Sequence, residues 1–178
     1  MPLVKNGEIV ADRFQRILDD TAIPASGDVL VPAERFLADP AAFAARQGET
    51  GVIWPNNRDI DELRPHLDKL ALVALVFPKF QDGRAYSQAR ILRERQGFRG
   101  ELRATGQVLR DQFVFMQRAG FDSFEVKKDN DAAAFAEAVH RYSVFYQPTG
   151  DGRLSARNAR ASRLVPTAAF QDRPEVVR

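Results

Sequence analysis

The chain has 178 residues but no cysteine, and it contains only two histidines. Without cysteine it cannot form disulfides, a thiolate nucleophile, an iron–sulfur cluster ligated by its own residues or a cysteine-ligated zinc site. His66 and His140 lie far apart and match no metal-binding spacing, so no metal site is expected. The longest apolar run, residues 70–77, is far shorter than the roughly 20 residues that span a membrane. The N-terminus also lacks the basic-then-apolar pattern of a secretory signal, and we therefore expect a cytoplasmic protein without membrane contact.

The sequence also lacks the motifs that accompany common cofactors and nucleophiles. It contains no Gly-x-Gly-x-x-Gly fingerprint, no phosphate-binding loop and no Gly-x-Ser-x-Gly elbow. No cofactor is therefore evident, and the catalytic residues, if the protein has any, cannot be named from these patterns.

Positive charge is concentrated in one part of the chain. The net charge is only +2, yet residues 79–110 hold eight Lys/Arg against three Asp/Glu, whereas residues 1–78 hold eight against twelve. Such a band in a nearly neutral chain favours a local anion or an acidic partner surface over general binding of nucleic acid. Aromatic residues do not alternate with these arginines as a base-stacking surface requires, so no nucleic-acid partner is expected.

Alternating strand and helix patterns predict a single α/β domain over residues 1–148, followed by a flexible tail over 149–178. Asn6-Gly7 predicts a tight hairpin near the N-terminus. Strands are predicted at 27–36, 51–55, 70–77, 100–106, 121–126 and 144–148, and helices at 39–46, 59–70, 82–96, 107–119 and 130–143. Short connections between these elements predict a mainly parallel sheet with helical crossovers. The alternative is a partial or distorted β/α barrel, whose mouth tolerates the charged groups of residues 101–103.

The arginine-rich segment "FPKFQDGRAYSQARILRERQGFRGELRATG" (77–106) is the most informative part of the sequence. Arg84 lies in the first turn of a predicted helix, where it opposes the helix dipole and needs a negative partner. Asp82, Glu101 or a bound anion could supply that negative charge. Asp82 and Gly83 are also explained by helix capping alone.

Two further stripes of polar residues accompany that turn. Tyr86, Arg90 and Arg93 follow one side of the predicted helix. Glu101 and Arg103 share one face of the next predicted strand, and because unpaired buried charges are costly they should be paired or line a wet cavity.

We predict an anion-binding site from guanidinium and phenol groups, which bind an oxyanion without a nucleophile. Its members are Arg84, Tyr86, Arg90 and Arg103. The predicted supporting residues are Asp82, Gly83, Ser87, Arg93, Glu101, Asp111 and Gln112. The competing interpretation is a solvated helix face beside a structural ion-pair network.

Three stretches of the sequence carry a family resemblance: "VKNGEIVADRF", "FPKFQDGRAYSQARILRERQGFRGELRATGQVLRDQ" and "RAGFDSFEV". Over roughly residues 1–148 the chain resembles the bacterial family catalogued as domain of unknown function nine-three-four. The resemblance implies a gene neighbourhood with assimilatory sulfite reductase and with the reductase for activated sulfate. It implies no catalytic residue, because none is established for that family.

From the resemblance and the positive band, we expect an accessory protein of assimilatory sulfite reduction. It would dock on the sulfite reductase haemoprotein and support assembly or electron delivery, with an arginine-lined anion site. The alternatives are an oxidoreductase using a flavin or nicotinamide, and an enzyme or sensor that binds a small sulfur oxyanion or adenylyl sulfate. Homo-oligomerisation stays open.

Overall fold

A computed structural model describes residues 2–17, 21–128, 130–140, 145–149 and 155–164. Within these residues eight strands form one sheet and six α-helices accompany it. The strands are β1 (Leu3–Lys5), β2 (Glu8–Val10), β3 (Gln15–Arg16), β4 (Val29–Pro32), β5 (Thr50–Trp54), β6 (Leu72–Phe77), β7 (Glu101–Gly106) and β8 (Ser123–Glu125). The helices are α1 (Ala33–Ala38), α2 (Pro40–Ala44), α3 (Arg84–Arg90), α4 (Phe113–Ala119), α5 (Asp131–His140) and α6 (Ala156–Leu164). The other helical segments are the 3₁₀ segments Ile60–Lys69 and Arg110–Gln112 and the π-helical turn Ile91–Arg95.

The sheet order confirms the predicted mainly parallel α/β fold. Strands β3 to β8 are neighbours in chain order, and every pair among them is parallel. Only the β1–β2 hairpin, whose β1 pairs with β8, runs antiparallel. The hairpin turns at Asn6 and Gly7, both with positive φ, as the Asn-Gly pair predicts. Parallel strands in sequential order with helical crossovers are the arrangement of a β/α barrel.

The sheet is curled into a half-barrel. In a flat sheet, β3 and β8 would lie about 24 Å apart, because five inter-strand spacings separate them. Yet Arg16 on β3 donates from Nη2 to both carboxylate oxygens of Glu125 on β8, at 2.6 and 2.8 Å. Two side chains can meet in this way only if the ends of the parallel sheet bend toward each other. The molecule is therefore the partial barrel that was the alternative form of the predicted fold.

The convex face of the half-barrel carries the main hydrophobic core. Strand alternation turns Val73, Leu75 and Phe77 of β6 toward the helices, where they are fully buried. Ala85 and Ala89 of α3 pack against this face, as their helical spacing predicts. The other residues of β6 are also mostly buried, which explains why the strand shows no polar alternation.

The concave face is covered by the chain itself. Residues 11–17, which we call the strap, cross the inside of the half-barrel and include β3. Phe14 of the strap packs on Leu30, Leu72 and Ala74 in a second, smaller hydrophobic cluster. The strap is tied to β4 through backbone bonds from Gln15 and Ile17.

Several element bounds differ from the sequence prediction for local reasons. The segment predicted as a strand at 27–36 divides into β4 and α1, because Pro32 and Glu34 favour a helix start. The helix predicted from residue 107 begins only at Arg110, since Gly106 has a positive φ and turns the chain first. Strand β3 was not predicted, because two exposed residues show no periodicity.

The C-terminal predictions fall partly outside the described residues. Of the strand predicted at 144–148, residue 144 lies outside them, and Phe145 forms only an isolated bridge with Ser155. Within the predicted tail, helix α6 is described, whereas residues 150–154 and 165–178 lie outside the described part of the chain.

Gly106 and Gly27 provide a matched test of the turn that follows β7. Their φ angles are +93° and +91°, but a Cβ at Gly106 would lie 2.5 Å from the Phe77 carbonyl oxygen, whereas one at Gly27 would meet nothing within 4 Å. We expect Gly27→Ala to lower the free energy of unfolding by about 1–2 kcal/mol, the cost of a left-handed backbone alone. Gly106→Ala should lower the free energy of unfolding by at least about 1–2 kcal/mol more than Gly27→Ala does, because the backbone at Phe77 must also move to admit the new Cβ. Urea denaturation measures both, and equal losses would contradict this account of the turn.

Candidate functional site

Arg84 opens α3 and is neutralised within its own turn. Its Nε and Nη2 donate to the two carboxylate oxygens of Asp82 at 3.0 and 2.7 Å, and its backbone N–H also donates to Asp82. Gly83 occupies the cap position between them. The hydrogen bond from Arg84 is the main reason that the pKa of Asp82 lies far below its ordinary value. Asp82 is therefore the one of the predicted negative partners that pairs with Arg84 in the structure.

Two members of the predicted helical stripe, Tyr86 and Arg90, reach a common cleft. Arg90 also donates to Glu94 one turn later, at 3.1 and 3.2 Å. Tyr86 packs edge-on against Phe77 and is half-buried. Burial, together with the negative charge of Asp111, raises the pKa of Tyr86 to about 12, so its hydroxyl stays a hydrogen-bond donor at neutral pH.

The third member of the stripe, Arg93, turns away from the cleft. The helix changes to a π-helical turn at Ile91–Arg95, which alters the spacing that the stripe assumed. Arg93 then donates to the carbonyl oxygens of Phe98, Gly100 and Gly120 at 2.7–3.0 Å, and it pairs with Asp122. It thereby joins the end of α4 to the start of β7, which is a structural role.

Arg103 lies on the concave face and is almost completely buried, with 1% of its surface exposed. Its Nη1 and Nη2 donate to the two carboxylate oxygens of Asp12 in the strap, at 2.7 and 3.1 Å. Its Nε and Nη2 donate to Glu101 at 3.2 and 3.1 Å, and Glu125 lies 3.6 Å away. Burial opposes the charge of Arg103, but the bonds and charges of Asp12 and Glu101 raise its pKa above the ordinary value.

Hydroxyl groups and a lysine complete this concave network. Ser123 donates to Glu101 at 2.6 Å, and Lys5 donates to the same carboxylate at 3.2 Å. Burial alone would raise the pKa of Glu101, yet Ser123, Arg103 and Lys5 outweigh it and lower that pKa. Thr105 donates to Glu125 at 2.6 Å. The charged strand face is thus paired, as the cost of burying lone charges predicts.

The predicted anion-site residues lie on both faces of the sheet. Arg84, Tyr86 and Arg90 belong to a helix on the convex face, whereas Arg103 points into the concave face. Of the four, only Tyr86 and Arg90 line one cleft, whereas Arg84 is paired with Asp82 and does not line it. Arg103 is separated from all three, because strand alternation turns it away from the helices. Whether any of these residues binds an anion stays a prediction.

The supporting residues divide in the same way. Ser87 is exposed on α3, and Asp111 lines the same cleft as Tyr86. Gln112 donates to the carbonyl oxygen of Phe80 and so links the loops after β6 and β7. Glu101 belongs with Arg103 in the concave network.

The cleft between α3, α4 and α5 is the candidate functional site. It has a volume of about 940 Å³, which lies within the range of pockets that hold small ligands. We call it the arginine–aromatic cleft, after the arginines and aromatic residues in its lining. These are Tyr86, Arg90, Arg110, Phe115, Arg118, Phe145 and Tyr146, accompanied by the carboxylates Asp111 and Glu137.

Two aromatic side chains of the cleft are strongly exposed: Phe115 by 66% and Tyr146 by 88%. Arg118 stacks over the ring of Phe145, with 3.9 Å from guanidinium carbon to ring centroid, and donates to the Gln147 carbonyl oxygen at 2.5 Å. Arg110 has no carboxylate within ion-pair distance in the described part of the chain. The cleft therefore offers apolar surface and cationic donors together.

Sequence reasoning missed the contribution of α4 and of residues 145–149 to this cleft. Phe113 and Met116 of α4 are fully buried, and Phe115 lies off their stripe. That displaced phenylalanine was the available signal, but an exposed position cannot be told from a second packing face without the fold.

Within the described residues, no group of His, Asp and Glu is arranged to hold a metal ion. Of the helices that the structure describes, none has the length and apolar character needed to cross a membrane.

One comparison with known proteins identifies a relationship. Residues 51–156 match the model of a family described as "Bacterial protein of unknown function (DUF934)". Neither the curated proteins nor the solved structures contain a match to the chain.

Replacing Arg103 with leucine should destabilise the protein by about 3–5 kcal/mol, because the buried carboxylates around it would lose their shared cation. Arg90→Leu removes the same side chain from an exposed pair and should change stability by no more than about 1 kcal/mol. Chemical denaturation followed by circular dichroism measures the difference. If Arg103→Leu does not fold, Asp12→Asn removes one partner and should show a smaller loss in the same direction. Equal losses of stability in Arg103→Leu and Arg90→Leu would show that the ion-pair network around Arg103 contributes little to the stability of the fold.

Stability should depend on pH through Glu101. Its folded-state pKa lies below the ordinary 4.5, so the unfolded chain takes up the proton first as pH falls. The ionised Glu101 carboxylate therefore adds its full contribution to folding stability at pH values above its pKa in the unfolded chain. That contribution is lost as the pH falls through its lower pKa in the folded protein. Glu101→Gln should therefore be less stable than the wild type at pH 7, and the gap should narrow toward pH 3. Urea titrations from pH 7 to pH 3 test this, and a gap that does not change with pH would contradict it.

Proposed function

Because this chain belongs to the bacterial family of unknown function DUF934, we propose its role from its own surface and from the sulfite-reduction context that the family resemblance implies. The protein is an accessory protein of assimilatory sulfite reduction that docks on the sulfite reductase haemoprotein. It supports the assembly of that enzyme or the delivery of electrons to it, and its docking surface is the arginine–aromatic cleft.

The observation that carries this proposal is the exposure of Phe115 and Tyr146 on one cleft. Large aromatic side chains gain roughly 1.5–3 kcal/mol each when they are removed from water, and so two of them exposed together favour a partner. The adjoining arginines suit the same purpose, since Arg, Tyr and Phe are enriched at protein interfaces.

The pairing of the other arginines supports a docking role over a catalytic one. Arg84, Arg90 and Arg103 each donate to a carboxylate of the same chain. A guanidinium that is already satisfied in this way gains less from a substrate anion than a free one does.

A second candidate function, binding of a small sulfur oxyanion or adenylyl sulfate, is favoured by one part of the cleft. Arg110 has no carboxylate partner among the described residues, and the protonated Tyr86 hydroxyl can donate beside it. Titration calorimetry with sulfite, sulfate and adenylyl sulfate distinguishes this candidate from docking. Heat that disappears in Arg110→Ala would support it, and the absence of heat from all three compounds would exclude it.

The docking proposal predicts a complex between the purified protein and the sulfite reductase haemoprotein of the same organism. Phe115→Ala should weaken that complex about tenfold, as expected for an aromatic residue at the centre of an interface. Ile9→Ala is the matched control, because Ile9 is also large, apolar and 51% exposed but does not line the cleft. Biolayer interferometry measures the Kd of each variant. No binding by the wild type at any of several salt concentrations would refute the proposal.

A further inference from the structure

We propose that the arginine–aromatic cleft continues onto α6 and that the two together bind an acidic segment of the docking partner which carries an aromatic or large apolar side chain. This inference rests on the proposed docking function and names the chemistry of the partner surface.

Helix α6 begins at the rim of the cleft. The backbone N–H of Ala156 donates to the carbonyl oxygen of Phe145 at 2.6 Å, and Phe145 lines the cleft. Ser155, which is buried, bridges to Phe145 and accepts from the N–H of Asn158 as the cap of the helix. The first turn of α6 is therefore anchored beside the aromatic wall of the cleft.

The charge of α6 is of one sign. Its sequence, ARNARASRL, contains arginines and no acidic residue. Arg157 and Arg160 are exposed, and like Arg110 they have no carboxylate partner in the part of the chain that the structure describes. Two like charges three residues apart on a helix repel each other, and a negative surface laid against them relieves that repulsion. This charge complementarity identifies the partner segment as acidic.

The apolar component of the partner follows from the cleft. Phe115 and Tyr146 line the same cavity, whose volume is sufficient for a side chain of the partner. A large apolar group inserted there would cover both rings and would be flanked by Arg110.

The extent of the cationic surface favours a chain segment over a small anion. Helix α6 has nine residues and is therefore roughly 13 Å long at about 1.5 Å per residue, and its first arginine, Arg157, follows directly on the residue that is bonded to Phe145. A small oxyanion is shorter than this helix and cannot contact the cleft and the whole length of α6 at once. An extended segment covers the same distance with about four residues.

The proposal is tested with short fluorescent peptides and the full-length protein. The probe is a peptide with one tryptophan flanked by glutamates, and its control has lysines in place of the glutamates. At low salt the acidic peptide should bind at least about tenfold more tightly than the basic one, and its affinity should fall steeply as salt is added. Fluorescence anisotropy gives both affinities. Equal affinity for the two peptides overturns the proposal.

Charge reversal locates the binding surface. The double variant Arg157→Glu and Arg160→Glu should weaken binding of the acidic peptide about tenfold or more, and Phe115→Ala should weaken it by a similar factor. Arg64→Glu is the control, because Arg64 is exposed on the 3₁₀ segment before β6 and does not line the cleft. The proposal is overturned if the control variant loses binding of the acidic peptide as much as the other two variants do, or if none of the three loses it. A single-stranded oligothymidine that binds as tightly as the acidic peptide would also overturn it, since the surface would then select phosphate charge.

The outcome is separable from the proposed function. Binding of the acidic peptide without binding of sulfite reductase would support this surface and refute the named partner. Binding of sulfite reductase that is unchanged in the α6 double variant would leave the docking function standing and refute the acidic segment.

Discussion

The buried guanidinium of Arg103 is the interaction on which the shape of this protein depends. It joins β7 to the strap through Asp12, and it lies against carboxylates on β7 and β8. Six parallel strands are too few to close a barrel of this kind, so their concave face would otherwise be open to water. The strap covers that face with Phe14 for the apolar part and with Asp12 and Arg16 for the charged part.

The concave network also determines which charges remain for other purposes. Lys5 pairs with Glu101, Arg16 with Glu125 and Arg103 with Asp12, so the cations and carboxylates of this network are equal in number. The most buried members of the network, Arg103, Glu101 and Glu125, stabilise the fold only while the network is intact, because removing Arg103 would leave the two carboxylates without their buried cation. The inner face therefore serves the fold, and the outer helices are left to present a surface to other molecules.

On the outer side, the π-helical turn Ile91–Arg95 directs Arg93 away from the cleft that Arg90 lines. Arg93 donates to the carbonyl oxygens of Phe98, Gly100 and Gly120, and it thereby connects the end of α4 to the start of β7. Tyr86 and Arg90 stay beside α4, where Phe115 and Arg110 complete a cleft. Apolar and cationic groups thus come together at the place where α6 begins, which is why docking and an acidic partner are proposed for this region.

The sequence by itself determined the alternation of strands and helices, the parallel sheet, the hairpin at Asn6-Gly7 and the need to pair Glu101 and Arg103. These features depend on local propensity, on the periodicity of apolar residues and on the cost of burying charge, all of which can be evaluated along the chain. Only the tertiary structure decided that Arg103 faces away from Arg84 and Arg90, that Asp12 is its partner, and that Phe115 and Tyr146 share one cleft. The physical reason is that each of these outcomes depends on the curl of the sheet and on the crossing of helices. Both bring together residues as far apart as positions 12 and 103, for which the local pattern contains no signal.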